Sequence, residues 1–299
     1  RQRMRDRHKL ETFDYGNFRG RDDLTAVQKA GWETYEHVPR FGTNYYGLRN
    51  RVSVLSEAYS HDPLERRVVA TRHYVHELLH AVAEHRATVL ARTRGGAQPR
   101  VGSAIPVRSR MTTSPFTAPV LVEALIATDD SIRYEPGLRR GFRRSNVFTP
   151  VSMPVYDRFE AARTRTLPLG WALDPAYPEA AERLRMHGIR VVALRNARRV
   201  RGERFVPESV VRAPRPFQGH QEVRVEGTWQ AATLALAAGT LIVPADQPLA
   251  LLAALLLEPE SDDGLTTWNF LDAGLAPGRV HPVQRFLAPI RLPATPSAR

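Results

Sequence analysis

The sequence predicts an α/β first part over residues 1–92, a linker over 93–115 and a β-rich (α+β) second domain over 116–299. Three observations predict this. A short apolar run, Val52 to Ser56, is followed by apolar residues at helical spacing from Leu64 to Val89. Residues 91–115, ARTRGGAQPRVGSAIPVRSRMTTSP, mix Arg, Gly, Ser and Pro without a period. From residue 116, short apolar runs alternate with Pro, Gly and charged turns.

In chain order, RQRMRDR opens as a charged helix or loop, and Tyr15-Gly16-Asn17-Phe18 reads as a turn. Asp22-Asp23 caps a short helix running through Lys29, and Gly31-Trp32 ends it. Gly42-Thr43-Asn44 is a turn leading towards the strand Val52 to Ser56, with Glu57 at the strand's end. A carboxylate there is costly to desolvate unless it is paired or used, and Arg49 or Arg51 is the ordinary structural partner. Asp62 suits a helix N-cap and Pro63 the first helical position, so a helix runs to about Leu90. In the second domain the strand candidates are Val120 to Ile126, Arg143 to Val155, Ile189 to Leu194, Phe205 to Val211, Glu222 to Val225 and Gly239 to Val243. Ala176 to His187 reads as a helix ended by Gly188, and Pro248 to Leu257 as a buried helix.

Composition sets bounds on function. With 299 residues and 42% hydrophobic content, the chain can bury a sizeable core. It has no cysteine, which excludes disulfides and thiolate metal sites. The longest apolar run, Leu249 to Leu257, is too short to span a membrane. The net charge of +12 invites a nucleic-acid reading. Yet Lys9 and Lys29 are the only lysines, the arginines are dispersed, and no aromatic-interleaved motif accompanies them. The expectation is therefore no nucleic-acid partner, with attraction to anionic surfaces or acidic peptides left open. The sequence opens on Arg1, and an earlier portion is expected ahead of it.

Residues 76–80, HELLH, match the HExxH zinc motif, in which two His bind zinc and Glu77 activates water. Helical phase argues against that use. At roughly 100° per residue, Leu64, Val68, Val75, Leu79 and Val82 gather on one side. His76 and His80 lie roughly 100° to 140° from its centre, on the solvated flank. No third ligand is marked, and Glu84, His85 and His220 are merely available. The acidic cluster Glu258, Glu260, Asp262 and Asp263 lacks the alternation of a calcium loop and reads as a solvated turn paired with arginines. Asp246, Gln247, Trp268 and Asn269 are the alternative, as a contact towards the first part. His220 and His281 read as ordinary polar residues, and Trp229 and Trp268 as core.

The stretch FGTNYYGLRNRVSVLSEAYS (residues 41–60), with YGNF (15–18) and GWETYEHVPRFGTNYYGLRNR upstream, resembles bacterial zinc carboxypeptidases of the carboxypeptidase A type. The likeness is good over roughly residues 10–90, and LLEPESDDGLTTWNF resembles a segment of larger bacterial relatives. It implies that residues 1–92 are the C-terminal piece of a carboxypeptidase-type α/β domain. Glu57 would then close the last buried strand as general base and acid, facing a cleft. The resemblance also implies a peptide substrate cut at its C-terminus and a Zn2+ cofactor. A mobile tyrosine would cap the substrate, for which Tyr35 stands 22 positions before Glu57 and Tyr45 competes. Arg49 is a further substrate-binding candidate. Secretion or a periplasmic location is implied as well.

The family's His-x-x-Glu pair and its later His are not identifiable in this chain, and HELLH replaces neither. No residue here is assigned as a zinc ligand, the ligands are expected upstream of Arg1, and the chain alone is expected to be inactive. Two other readings stand beside this one: an HExxH zincin on His76, Glu77 and His80, and a non-enzymatic basic β-rich interaction module.

Overall fold

The computed structural model describes residues 1–19, 30–94, 99–128 and 141–292. The predicted helix from Asp22 to Lys29 lies outside them. The chain is mixed α and β, with more strand than helix and with open sheets. It divides into two compact, discontinuous units. Unit 1 comprises residues 1–36, 53–92 and 111–160; unit 2 comprises 37–52, 93–110 and 161–299. One unit boundary falls at the 92/93 cut, while residues 37–52 belong to unit 2 and residues 111–160 to unit 1.

Unit 1 holds α1 (Gln2–His8), β1 (Asn17–Phe18) and β2 (Trp32–Glu33). The stretch predicted as the strand Val52–Ser56 has no regular structure, and Val54 and Leu55 are exposed. A buried strand needs ladder partners on its polar backbone and cover for its side chains; this run joins no sheet among the described residues, and Val52, Val54 and Leu55 lie exposed.

The predicted long helix is present but broken at His85, giving a 21-residue helix (Leu64–Glu84) and a shorter one (Arg86–Arg94). Pro63, not Asp62, takes the capping position, without a side-chain cap bond. Asp62 instead accepts from Arg144 at 3.1 Å and pairs with Arg66 at 3.4 Å. Arg144 also binds Glu123 at 2.9 Å. That pair lies between β4 (Thr117–Ala127) and β5 (Phe142–Tyr156), which run antiparallel with one bulge. The sheet order is β1-β2-β5-β4.

The longer helix is turned over relative to its apolar stripe. Leu64, Val68 and Leu79 are 72%, 59% and 63% exposed, and Val75 and Val82 are exposed too. The packed face carries Ala70, Thr71, Tyr74, Glu77, Leu78 and Ala81, with Glu77 its one buried residue. The cause is α1, whose polar side chains pair with this polar face. Arg7 and His8 reach Glu77 and Arg3 reaches Glu84, while Met4 is buried.

Unit 2 has the larger core. Residues 42–48, predicted to start as a turn, form the helix α2 (Gly42–Leu48). We number the two later helices of unit 1 α3 (Leu64–Glu84) and α4 (Arg86–Arg94); the latter ends in unit 2. The stretch read as linker contains β3 (Ala104–Thr112), which pairs with β6 (Arg158–Thr166). Alternation marks it in retrospect: Ile105 and Val107 are buried, with Pro106 exposed between them.

A six-stranded antiparallel sheet of order β10-β9-β12-β7-β11-β8 follows. Its members are β7 (Gly170–Leu173), β8 (Val192–Ala193), β9 (Arg198–Arg212), β10 (Val223–Leu236), β11 (Leu241–Pro244) and β12 (Val283–Phe286). Each strand read from sequence in residues 199–243 falls on one of these, but β9 and β10 extend well beyond the apolar runs that announced them. Their solvated faces carry Arg and Glu, so the 14-pair ladder is invisible to a hydrophobic window.

Helix α5 (Pro178–Met186) ends as expected at Gly188. Its φ of 80° lets the Gly188 and Ile189 N–H groups turn back onto Arg185 and Leu184. Helix α6 (Ala250–Leu257) is apolar all round and buried beside Trp171, Leu173 and Leu271. All three hydrophobic clusters formed by the described residues lie in unit 2.

Candidate functional site

The sequence-predicted site residues are divided between the two units. In unit 1, Glu57 is exposed in irregular chain, and no hydrogen bond or ion pair reaches it among the described residues. The placement that the carboxypeptidase resemblance implies, at the end of a dry strand, is not the one found. Tyr35 is half-buried and meets Tyr15 edge to face at 5.6 Å.

In unit 2, Tyr45 and Arg49 sit one turn apart on α2 and its C-cap, and both are tied down. Arg49 donates to the Tyr45 hydroxyl at 3.1 Å and to the carbonyl of His187. The Tyr45 oxygen is therefore an acceptor, which leaves its proton to donate to His187 Nδ1 at 2.8 Å. Burial lowers the His187 pKa, and the positive charges of Arg49 and Arg183 add to this. A neutral imidazole, a phenol and a guanidinium thus form a fixed knot. It needs His187, which is 142 positions from Tyr45 and carries no local sequence signal. Arg51 donates to the carbonyls of Arg49 and Asn50.

The HELLH residues are also occupied. His76 is 63% exposed at its side chain, and its ring meets that of His80 edge to face at 4.5 Å. Glu77 accepts from Arg7 at 3.2 Å and bonds His8 Nε2 at 2.9 Å. These contacts hold its pKa below the usual carboxylate value, the His8 hydrogen bond most of all. His8 in turn stacks on His73 at 4.0 Å. A carboxylate already bonded by two neighbours, one of them an arginine, is a poor base for water. Among the described residues no three His, Asp or Glu side chains converge to hold a metal ion. This donor set does not fit the zinc that the resemblance implies.

The acidic segment in unit 2 is paired with arginines, as read, but it is buried rather than solvated. Glu258 and Glu260 are each 1% exposed, and Asp263 is buried with them. Glu258 receives two bonds from Arg285, one of them at 2.9 Å, and one from Trp171 Nε1–H at 2.8 Å. Arg285 lies 3.9 Å from the centre of the Trp229 ring. Burial raises the Glu258 pKa, while Arg285 and Trp171 oppose that rise.

Glu260 is held by Arg163 and by Arg165, the latter through Nε at 2.7 Å. Asp262 pairs with His37 at 2.9 Å and accepts from the Ser109 N–H. Asp263 accepts from the Arg40 N–H and from Trp268 Nε1–H, each at 2.8 Å. Each carboxylate thus finds its own partners from several parts of the chain, which is why burial is tolerated. Gln247 and Asn269 are likewise spent inside the unit, on the Arg190 and Gln221 N–H groups.

His281, read as an ordinary polar residue, is 1% exposed; burial pushes its pKa down to about 3. Its Nδ1 accepts from the Val283 N–H at 3.1 Å, so the ring proton sits on Nε2, facing Thr266 Oγ1.

No protein-family model, curated protein or solved structure matches this chain. No helix of the described residues is long and apolar enough to cross a membrane.

Proposed function

We propose that residues 1–92 are the closing portion of a metallocarboxypeptidase-type catalytic domain, whose parent protein hydrolyses peptides from their C-terminus. In this reading Glu57 takes the proton of the attacking water and hands it to the leaving amine. One observation supports it beyond the sequence resemblance: the uncovered apolar surface of unit 1. Val54 and Leu55 have the pattern of a buried strand, and Leu64, Val68, Val75 and Leu79 that of a buried helix stripe, yet all are exposed. Burying each such side chain stabilises by roughly 1.5–3 kcal/mol. A run with that pattern is written for a cover, and in a carboxypeptidase-type domain the rest of the catalytic sheet would be that cover.

On this account the irregular, exposed Glu57 is the uncovered state of the segment. By the resemblance, zinc ligands belong to an earlier stretch of such a domain than residues 1–92. The proposal therefore expects the chain by itself to be inactive. Export from the cytoplasm belongs to the same proposal.

The test compares this chain with the full-length protein that carries it. The expectation is no bound zinc and no peptidase activity in residues 1–299, and both in the longer protein, where peptides with a blocked C-terminus resist. Zinc retained by residues 1–299 and lost on His76→Ala would overturn this in favour of the HExxH reading.

A further inference from the structure

Unit 2 contains an open groove of about 690 Å3 lined by Arg49, Arg51, Arg94 and Arg100, with Val101, Pro248 and Leu249 among its apolar walls. Elsewhere in this unit the buried and half-buried arginines near carboxylates are neutralised, as Arg40, Arg108, Arg163 and Arg285 are. The four groove arginines pair with no carboxylate among the described residues. Arg49 and Arg51 spend donors only on carbonyls and a phenol. The groove's one acid, Asp246, is engaged by Arg190 at 2.6 Å.

One side of the groove is held in place by hydrogen bonds. Arg49 is anchored to the His187 carbonyl and to Tyr45. Asn50 adopts a left-handed φ of 57° and donates to the Pro248 carbonyl at 3.2 Å, which fixes the turn that separates Arg49 from Arg51. Its volume lies in the range of small-ligand and short-peptide sites, which is roughly 300–1,000 Å3.

We propose that this groove binds an acidic peptide segment through its carboxylates. Four unneutralised guanidiniums in one concavity repel one another, and a ligand carrying several carboxylates relieves that repulsion with two-pronged bonds. The proline and leucine walls suit the methylene and backbone surface of a peptide. Against a nucleic-acid strand, no aromatic ring lines the groove, and stacking platforms are what single strands need. The inference does not use Glu57 and requires no peptidase activity, although Arg49 is also a candidate in the peptidase reading.

The experiment is fluorescence anisotropy of residues 1–299 with a dye-labelled hexaglutamate peptide at low salt. Saturable binding is expected, weakened at least about tenfold by Arg94→Met with Arg100→Met, a loss of about 1.4 kcal/mol. Both positions are exposed, so these variants fold. Arg198→Met with Arg199→Met, an exposed arginine pair outside the groove, should change affinity by less than about twofold if attraction is local. Equal loss in the two double variants, no saturable binding, or tighter binding of a hexathymidylate strand than of the peptide would each overturn the proposal.

Discussion

Replacing Arg285 by Met should expose what a buried ion pair does in unit 2. Glu258, at 1% exposure, would keep only the Trp171 Nε1–H donor. Removing one member of such a pair costs about 3–5 kcal/mol, because the remaining charge is stranded. The carboxylate can escape by taking a proton. At pH 7 that costs about 3.7 kcal/mol, from 1.36 kcal/mol per unit and an ordinary Glu value of about 4.3; at pH 5 it costs about 1 kcal/mol.

Burial already raises this pKa, and losing Arg285 raises it further. The folded variant then binds more protons than its unfolded chain, so its stability falls as pH rises. The deficit relative to the parent should therefore be about 3 kcal/mol at pH 7 and about 2 kcal/mol smaller at pH 5. Glu258→Gln with Arg285→Met should recover to within about 1 kcal/mol, since no charge is left buried. Urea unfolding followed by circular dichroism at both pH values measures this. A deficit below about 1 kcal/mol at pH 7, or one equal at both pH values, would refute the reasoning.

His281 gives a slope of its own. Its folded pKa, about 3, lies below the unfolded value near 6.5, so the unfolded chain binds more protons between them and stability is lost as pH falls. About 2 kcal/mol should go between pH 7 and pH 5, and His281→Gln should remove that part of the slope in urea titrations. Leu79→Ala, on the exposed row, should change the stability of this chain by less than about 0.5 kcal/mol. Leu257→Ala, fully buried on α6, should cost about 2–5 kcal/mol in the same assay. Glu77 anchors α1 with a lowered pKa, so amide exchange protection of Met4–His8 should hold above the ordinary carboxylate range and fade as pH drops below it. In Glu77→Gln that protection should already be weak at pH 7.

Sequence reading succeeds where one face of an element is apolar and its partner lies in the same unit. Helix α5 and the strands β4, β5 and β11 are of that kind, and α6 is legible instead as a short run that is apolar all round. It fails at Val52–Ser56 and on α3, where the apolar pattern is strong but no cover arrives among the described residues. There the polar face is used instead, because Arg3, Arg7 and His8 match Glu84 and Glu77. It fails again at β3, whose two buried apolar residues sit among Arg, Ser and Pro. The arginine partners of the acidic segment were legible in kind, since so many arginines surround so few acids. Their burial was not, because it depends on Arg285 and Arg163 arriving from remote strands. The Tyr45–His187 contact and the arginine groove join segments far apart in sequence and leave no local pattern.

The account stands or falls on Glu57. The decisive measurement is the rate of release of C-terminal residues from an unblocked peptide by the full-length protein carrying Glu57→Gln. A loss of about 10²- to 10⁴-fold, with zinc content unchanged, is predicted for a proton-transferring carboxylate. Release at the parent rate would contradict it.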